Sequence, residues 1–277
     1  MPELPEVETI RRDLEREFAG KKIKAVTVTG ARSVRRGTKE ALATAVVGRT
    51  FKAAKRRGKY LVIVLDSGQW LVFHLRMSGQ LLKATPKAPK PKHTHVVIEF
   101  TQGSQLRFID PRTFGEVFVV DPARLAEDAP DLADLGWDPL DDAMPWVDFG
   151  RLVVVRRQQL KALLTDQRFI AGLGNIYSDE VLYAAGLRYD RLSNTLTVQE
   201  VRRLFRALIE VVHAAVAARG SSLADEQYVD LHGRMGTYQE HHQVYAREGK
   251  ACLRCRATIE RTKWGGRSTF YCPECQV

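Results

Sequence analysis

The chain has 277 residues, 44% hydrophobic and 27% charged, with a formal net charge of +10. That length allows two domains and a sizeable core. No apolar run is long enough to span a bilayer, and the acidic start does not read as a secretory signal. A cytoplasmic, nucleoid-associated protein with no membrane partner is expected.

The charge is segregated along the chain. Residues 21–59 hold 13 bases against one acid, Glu40, whereas residues 121–148 hold nine acids against one base, Arg124. A basic segment of this kind suits a phosphate backbone. The acidic one, with Pro130, Pro139 and Pro145, reads as a domain boundary turned away from it.

At the start, removal of Met1 leaves Pro2 with a free secondary amine beside the Glu3 carboxylate. An α-amino group titrates at roughly 7.7–8, so an appreciable fraction is neutral and nucleophilic near neutral pH. Amine plus carboxylate suits covalent catalysis with proton transfer. The alternative is that Pro2 and Pro5 only shape the entry to a helix over residues 6–18, whose Val7, Ile10, Leu14 and Phe18 make one apolar stripe. Strands are predicted over 23–29, 60–65, 70–75, 95–100, 105–109 and 117–120, with a short helix over 39–47. Regularly spaced short strands indicate a sandwich or barrel. Residues 83–92, rich in Pro and Lys, read as an exposed, extended loop.

From residue 151 the pattern turns helical. Helices are predicted over 175–185 and 197–218, the second opened by a Thr197/Glu200 capping box and closed by Gly220. Its expected buried face is Val198, Val201, Leu204, Phe205, Leu208 and Val212. Residues 221–245 form a long polar segment, of a length that is usually functional or disordered. Near the end, Cys252-x-x-Cys255 and Cys272-x-x-Cys275 flank 16 residues. Two such pairs complete a tetrahedral four-thiolate site for one structural zinc ion, with no position open for substrate. Two disulfides are the weaker reading. The intervening residues 256–271 would form a β-hairpin carrying Arg261, Lys263 and Arg267.

Six ordered motifs now point one way: PELPEVET (2–9), RRGKYL (56–61), HLRMSG (74–79), DPRTFG (110–115), GLGNIYSDE (172–180) and the paired CxxC. Over essentially its whole length the chain resembles the formamidopyrimidine-DNA glycosylases, bacterial enzymes that excise oxidised purines. The resemblance implies an α+β fold. A β-sandwich flanked by helices (1–135) and a linker (136–150) would precede a helix-two-turn-helix domain with a lesion-covering loop (151–246) and a zinc finger (247–277), with DNA in a cleft.

Pro2 would attack the anomeric carbon of the damaged nucleotide, with Glu3 as proton-transfer acid and Glu6 supporting, followed by β- and δ-elimination. Met77, Arg112 and Phe114 would fill the gap left by the flipped nucleotide; core packing is the plainer reading of Met77 and Phe114. Lys59, His93, Lys161, Asn175 and Arg267 match phosphate-binding positions, Lys59 and Arg267 counting also with the catalytic set. His93, read without the resemblance, is a surface histidine on the strand edge; a metal reading with His95 has no matching carboxylate cluster to support it. The implied partner is double-stranded DNA with oxidised bases or abasic sites, and the implied state is a monomer.

Two departures stand out. Thr113 replaces a second basic residue of many relatives. The loop reads Gly233-Arg234-Met235-Gly236, where relatives usually have Gly-x-Pro-Gly. Two other readings remain: an endonuclease VIII-like enzyme for oxidised pyrimidines, disfavoured by Leu4 and the Arg-Thr-Phe wedge, and a non-catalytic damaged-DNA-binding protein.

Overall fold

The computed structural model describes residues 1–223 and 227–277. They divide into two compact units. The first comprises Met1–Asp134 with Arg219–Thr237, and the second Leu135–Ala218 with Tyr238–Val277.

The first unit opens on helix α1, Leu4–Phe18. It starts two residues earlier than expected, because Pro5 lies in the first turn, where an N–H has no intrahelical partner to lose. Val7, Ile10, Leu14 and Phe18 are fully buried. Strands β1 (Ile23–Val28), β2 (Phe51–Arg57), β3 (Tyr60–Leu65), β4 (Trp70–His74), β5 (Gln80–Ala84), β6 (Thr94–Phe100), β7 (Gln105–Ile109) and β8 (Glu116–Val120) form two four-stranded sheets, ordered β1-β6-β7-β5 and β2-β3-β4-β8. All their named pairings are antiparallel. Helix α2 (Lys39–Val46) is inserted between β1 and β2. The α1 stripe joins residues of both sheets in one apolar core. Phe18 stacks on Phe100 of one sheet at 4.6 Å and lies 6.4 Å from Phe51 of the other, tying them at one corner.

β2 and β5 were not anticipated. In β2 the bases hide a two-residue period: Lys52, Lys55 and Arg57 are exposed, while Phe51, Ala54 and Arg56 turn inward. Arg56 can be buried because its Nε meets Glu8 Oε2 at 3.2 Å. Part of the acidic run also folds here, as helices α3 (Leu125–Asp128) and α4 (Pro130–Ala133). Asp131 holds Arg36 in a bidentate pair and accepts from the Tyr60 hydroxyl at 2.8 Å.

Residues 219–237, expected with the helical domain, belong instead to this sandwich unit. Tyr228 and Leu231 enter its core, and Leu231 O accepts from Lys83 N–H at 2.9 Å. Residues 224–226 of the long polar segment lie outside the described residues.

In the second unit the expected linker is folded. Trp137 bridges to Ile170 and packs on Phe149 of helix α5, Trp146–Val154. Aromatic burial here outweighs the acidic, proline-rich composition that suggested a tether. Helices α6 (Leu160–Thr165), α7 (Asn175–Ala185) and α8 (Val198–Ala217) follow. The Thr197/Glu200 capping box is present. Val198, expected to be buried, is exposed in the first turn, ahead of the packed stretch; Phe205 is only partly buried, stacked on Trp137. The chain ends in the hairpin β9 (Glu260–Trp264) and β10 (Arg267–Tyr271). Its two-residue turn has positive φ at Gly265 and Gly266, as a tight hairpin requires. Among the described residues no helix is long and apolar enough to cross a membrane.

Candidate functional site

The N-terminus is held from both directions. Glu3 is the N-cap of α1 and is buried, as is Pro2, behind an exposed Met1. Glu6 Oε2 accepts from Glu3 N–H at 2.8 Å, and Glu6 Oε1 accepts from Ser221 N–H at 2.7 Å. One carboxylate therefore couples the start of the chain to a segment more than 200 residues later. A Cβ on Gly220 would lie 2.5 Å from Glu6 Oε1, at φ +80°, so glycine is required for this approach.

The returning segment is clamped further along α1. Arg219 bridges the buried Asp13 and Asp230. Asp230 Oδ1 also accepts from His232 and Arg234 N–H, each at 2.9 Å. That carboxylate closes the turn at Gly233-Arg234-Met235-Gly236.

Met77 and Phe114 are not in the core: they are 42% and 48% exposed. Core packing, the plainer sequence reading, is therefore excluded for both. Arg112 lies over the Phe114 ring at 4.8 Å. Both loops hang on one fully buried carboxylate. Asp110 Oδ1 accepts from Ser78 Oγ at 2.5 Å and Arg112 N–H at 3.2 Å, and Oδ2 accepts from Gly115 N–H at 2.7 Å. Asp110 was overlooked in the sequence, although it opens the DPRTFG motif. Thr113 adopts positive φ, +56°.

Lys59 sits in the β2–β3 turn and is buried, not free on the surface. Its charge reaches His74, whose ring meets Tyr60 edge-on at 4.4 Å and whose Nδ1 accepts from Arg76 N–H at 3.0 Å. Burial, together with the Arg76 and Lys59 charges, pushes His74 down from 6.5 to about 3. Between those values the unfolded chain binds a proton here and the folded chain does not. This contribution to stability is therefore intact above the ordinary histidine pKa and is lost progressively as pH falls through the window. His74→Asn, which keeps an acceptor for Arg76, is expected to lose roughly 2–3 kcal/mol less than the parent between neutral pH and about two units below 6.5. Urea midpoints at the two pH values check this; carboxylate titration is common to both chains and cancels.

His93 is exposed at φ +64°, its ring 6.4 Å from that of His95. His95 Nε2 is occupied by Asp110 O at 2.8 Å, and the two histidines belong to no metal-type cluster among the described residues.

In the second unit the expected phosphate contacts separate into two kinds. Arg267 is exposed at the start of β10. Asn175 opens α7 and ties it to the hairpin, Nδ2 donating to Ser268 O at 2.9 Å, while its buried Oδ1 has no hydrogen-bond partner among the described residues. Lys161 is placed differently. It is only 1% exposed, and its Nζ meets Asp179 Oδ1 at 2.5 Å. Asp179 Oδ2 accepts from Phe270 N–H at 3.0 Å, so Lys161 fixes the hairpin strand through Asp179 rather than presenting an open cation.

Its neighbour Glu180 accepts three backbone N–H groups, from Gln243, Val244 and Tyr245. Burial raises the pKa of both carboxyls; Lys161 opposes this at Asp179 and the three N–H donors oppose it at Glu180. Asp179→Ala strands a buried ammonium and is expected to cost about 3–5 kcal/mol. Asp179→Leu paired with Lys161→Met is expected to cost less than Asp179→Ala alone, and denaturant unfolding of the three chains compares them.

The four cysteine Sγ atoms lie within 4.8 Å of one another. Cys252–Cys275 and Cys255–Cys272 are 3.9 and 3.4 Å apart. Tetrahedral metal–sulfur bonds of about 2.3 Å give edges near 3.8 Å, so the donor set fits a four-thiolate metal centre. The thiols are not joined as disulfides. Arg254 and Cys275 N–H groups point at Cys252 and Cys272 Sγ, both at 3.4 Å, orienting the thiolates.

A sandwich with a proline–glutamate start, and a helical unit ending in a thiolate hairpin, define a class that the comparisons identify. The formamidopyrimidine-DNA glycosylase N-terminal domain matches residues 1–117, its H2TH domain 135–227, and the zinc finger found in FPG and IleRS 249–277. A formamidopyrimidine-DNA glycosylase of Pelotomaculum thermopropionicum is 41% identical over 276 residues, covering 100% of this chain and 99% of its own. The Lactococcus lactis Fpg in complex with abasic-site DNA superposes with TM-score 0.91 at 34% identity, covering 99% of each chain. The same bacterium's Fpg with Fapy-dG DNA gives 0.89 at 34%, again covering 99% of each. The chain belongs to the formamidopyrimidine-DNA glycosylase family.

Proposed function

We propose that this chain is a bifunctional glycosylase and abasic-site lyase that removes oxidised purines from duplex DNA. The observation that carries the reading is the Pro2–Glu3 start, buried at the head of α1 and joined through Glu6 to Ser221. With Met1 removed, the Pro2 nitrogen attacks C1′ of the damaged nucleotide and the C1′–base bond breaks, the base leaving with a proton. Glu3 protonates the ring oxygen as the sugar opens to an iminium. The iminium acidifies the C2′ proton, so the 3′ phosphate leaves by β-elimination and the 5′ phosphate by δ-elimination.

The target carbon is inaccessible in a stacked duplex, so the nucleotide must be flipped out at a cost of a few kcal/mol. Met77 and Phe114 enter the vacated step, and Arg112 donates to the orphaned base. Lys59, His93, Asn175 and Arg267 hold phosphates, and Lys161 sets the hairpin that carries Arg267. One zinc ion in the cysteine site would hold that hairpin folded. The purine preference is supported by the Lactococcus relative bound to Fapy-dG DNA.

Borohydride trapping on an 8-oxoguanine·cytosine duplex tests this. The expected result is a covalent adduct on the Pro2 peptide. No adduct, with Met1 absent and DNA binding intact, sinks the 8-oxoguanine assignment. An abasic duplex then separates another lesion preference from a protein with no lyase chemistry.

A further inference from the structure

Among the described residues Arg107 is the largest of the fully buried side chains, yet no acid among them pairs with it. Its Nε donates to Gln105 Oε1 at 3.0 Å, and its other donors go to backbone carbonyls of the loop between β5 and β6. These are Pro89 O at 2.7 Å, Ala88 O at 2.9 Å and Thr85 O at 3.0 Å. A buried guanidinium balanced only by carbonyl dipoles is an expensive way to fasten a loop. The loop makes it possible: Thr85–Ala88 is a turn, Ala88 N–H donating to Thr85 O at 3.1 Å, and the carbonyls of Thr85, Ala88 and Pro89 keep lone pairs for the guanidinium.

The fastened loop is strongly charged. Lys87, Lys90 and Lys92 are all exposed, and none forms an ion pair among the described residues. No acid occurs between Lys83 and Glu99. Three like charges on one short loop repel one another, so a floppy loop would spread them. Arg107 holds them together. The loop then runs into His93, whose carbonyl accepts from Asp110 N–H at 3.0 Å. Asp110 is the carboxylate on which both wedge loops hang, so the lysines lead directly away from the Met77–Phe114 side of the sandwich unit.

We propose that residues 85–93 form a rigid basic strap that grips duplex phosphates beside the lesion, with Lys87, Lys90 and Lys92 as its contacts and Arg107 as its anchor. This rests on the DNA-repair reading above. The strap adds sequence-independent affinity and takes no part in the chemistry. Its strength follows salt, with each phosphate contact contributing roughly 0.9 to the slope of log affinity against log salt concentration.

The test is equilibrium binding of a duplex containing a reduced abasic site across a salt series. The parent is compared with Lys87→Ala/Lys90→Ala/Lys92→Ala and with the same three positions changed to Arg. The alanine chain is expected to show a slope shallower by roughly 2–3. Its saturated single-turnover cleavage of an unreduced abasic duplex should be unchanged. The arginine chain should recover the slope, which separates charge from damage to the loop. An unchanged slope in the alanine chain overturns the strap while leaving the repair reading standing. A parent that neither binds nor cuts the duplex overturns both.

Discussion

A chain that keeps Met1, or any residue ahead of Pro2, is expected to lose cleavage of an abasic duplex by roughly four to six orders of magnitude. Duplex binding should stay within a few-fold of the processed chain. An added residue turns the Pro2 nitrogen into an amide, which is neither basic nor nucleophilic. Everything else in the proposed site is untouched, because Glu3 and Glu6 are placed by α1 and by Ser221 rather than by the terminus. Single-turnover cleavage, with the N-terminus of each preparation read by mass spectrometry, checks the result. Cleavage by a chain shown to retain Met1 removes Pro2 as nucleophile and turns attention to the lysines, Lys59 first.

Cys272→Ser is expected to have the next largest effect. Metal binding to a site of this kind contributes about 10–16 kcal/mol, and in a small hairpin that is folding free energy. Cys252 and Cys272 are also part of a small core with Tyr183, Val244, Ile259 and Phe270, so the loss spreads beyond the ion. The variant should hold less than one equivalent of zinc, and residues of β9 and β10 should lose amide-exchange protection while the sandwich keeps it. Lesion-duplex affinity should fall about tenfold or more, because one charge-assisted contact, such as the one proposed for Arg267, contributes roughly 1.5–3 kcal/mol. Full protection of the hairpin in a metal-free variant would show that apolar packing alone folds it.

Features whose cause is local were legible in the sequence. α7 over Asn175–Ala185, the Thr197 capping box and the cysteine hairpin all follow from caps, periodicity and spacing, and each is found in the structure. The features missed depend on partners far along the chain. β2 reads as a basic run until Glu8, on a helix some 48 residues earlier, is seen receiving Arg56. Lys161 reads as a surface cation until Asp179 is seen beside it. Core packing is the plainer sequence reading of Met77 and Phe114, and only their exposure in the structure excludes it. The return of residues 219–237 to α1 has no local signature, since its clamps are single carboxylates: Glu6, Asp13 and Asp230.

That return has a consequence for how the protein is made. A ribosome releases Met1–Asp134 long before it has synthesised Tyr228 and Leu231, which complete the first unit's core. Domains ordinarily fold one by one as they emerge; here the first to emerge cannot be finished until Leu135–Ala218 of the second has been made. During that interval Asp13 waits for Arg219, and Glu6 for the Ser221 amide. The half-made sandwich leaves the seat for these residues open to water, and chaperones of nascent chains have their longest opportunity there. A fragment ending at Asp134 would remain permanently in that state, with the pieces that hold its N-terminus in place never arriving.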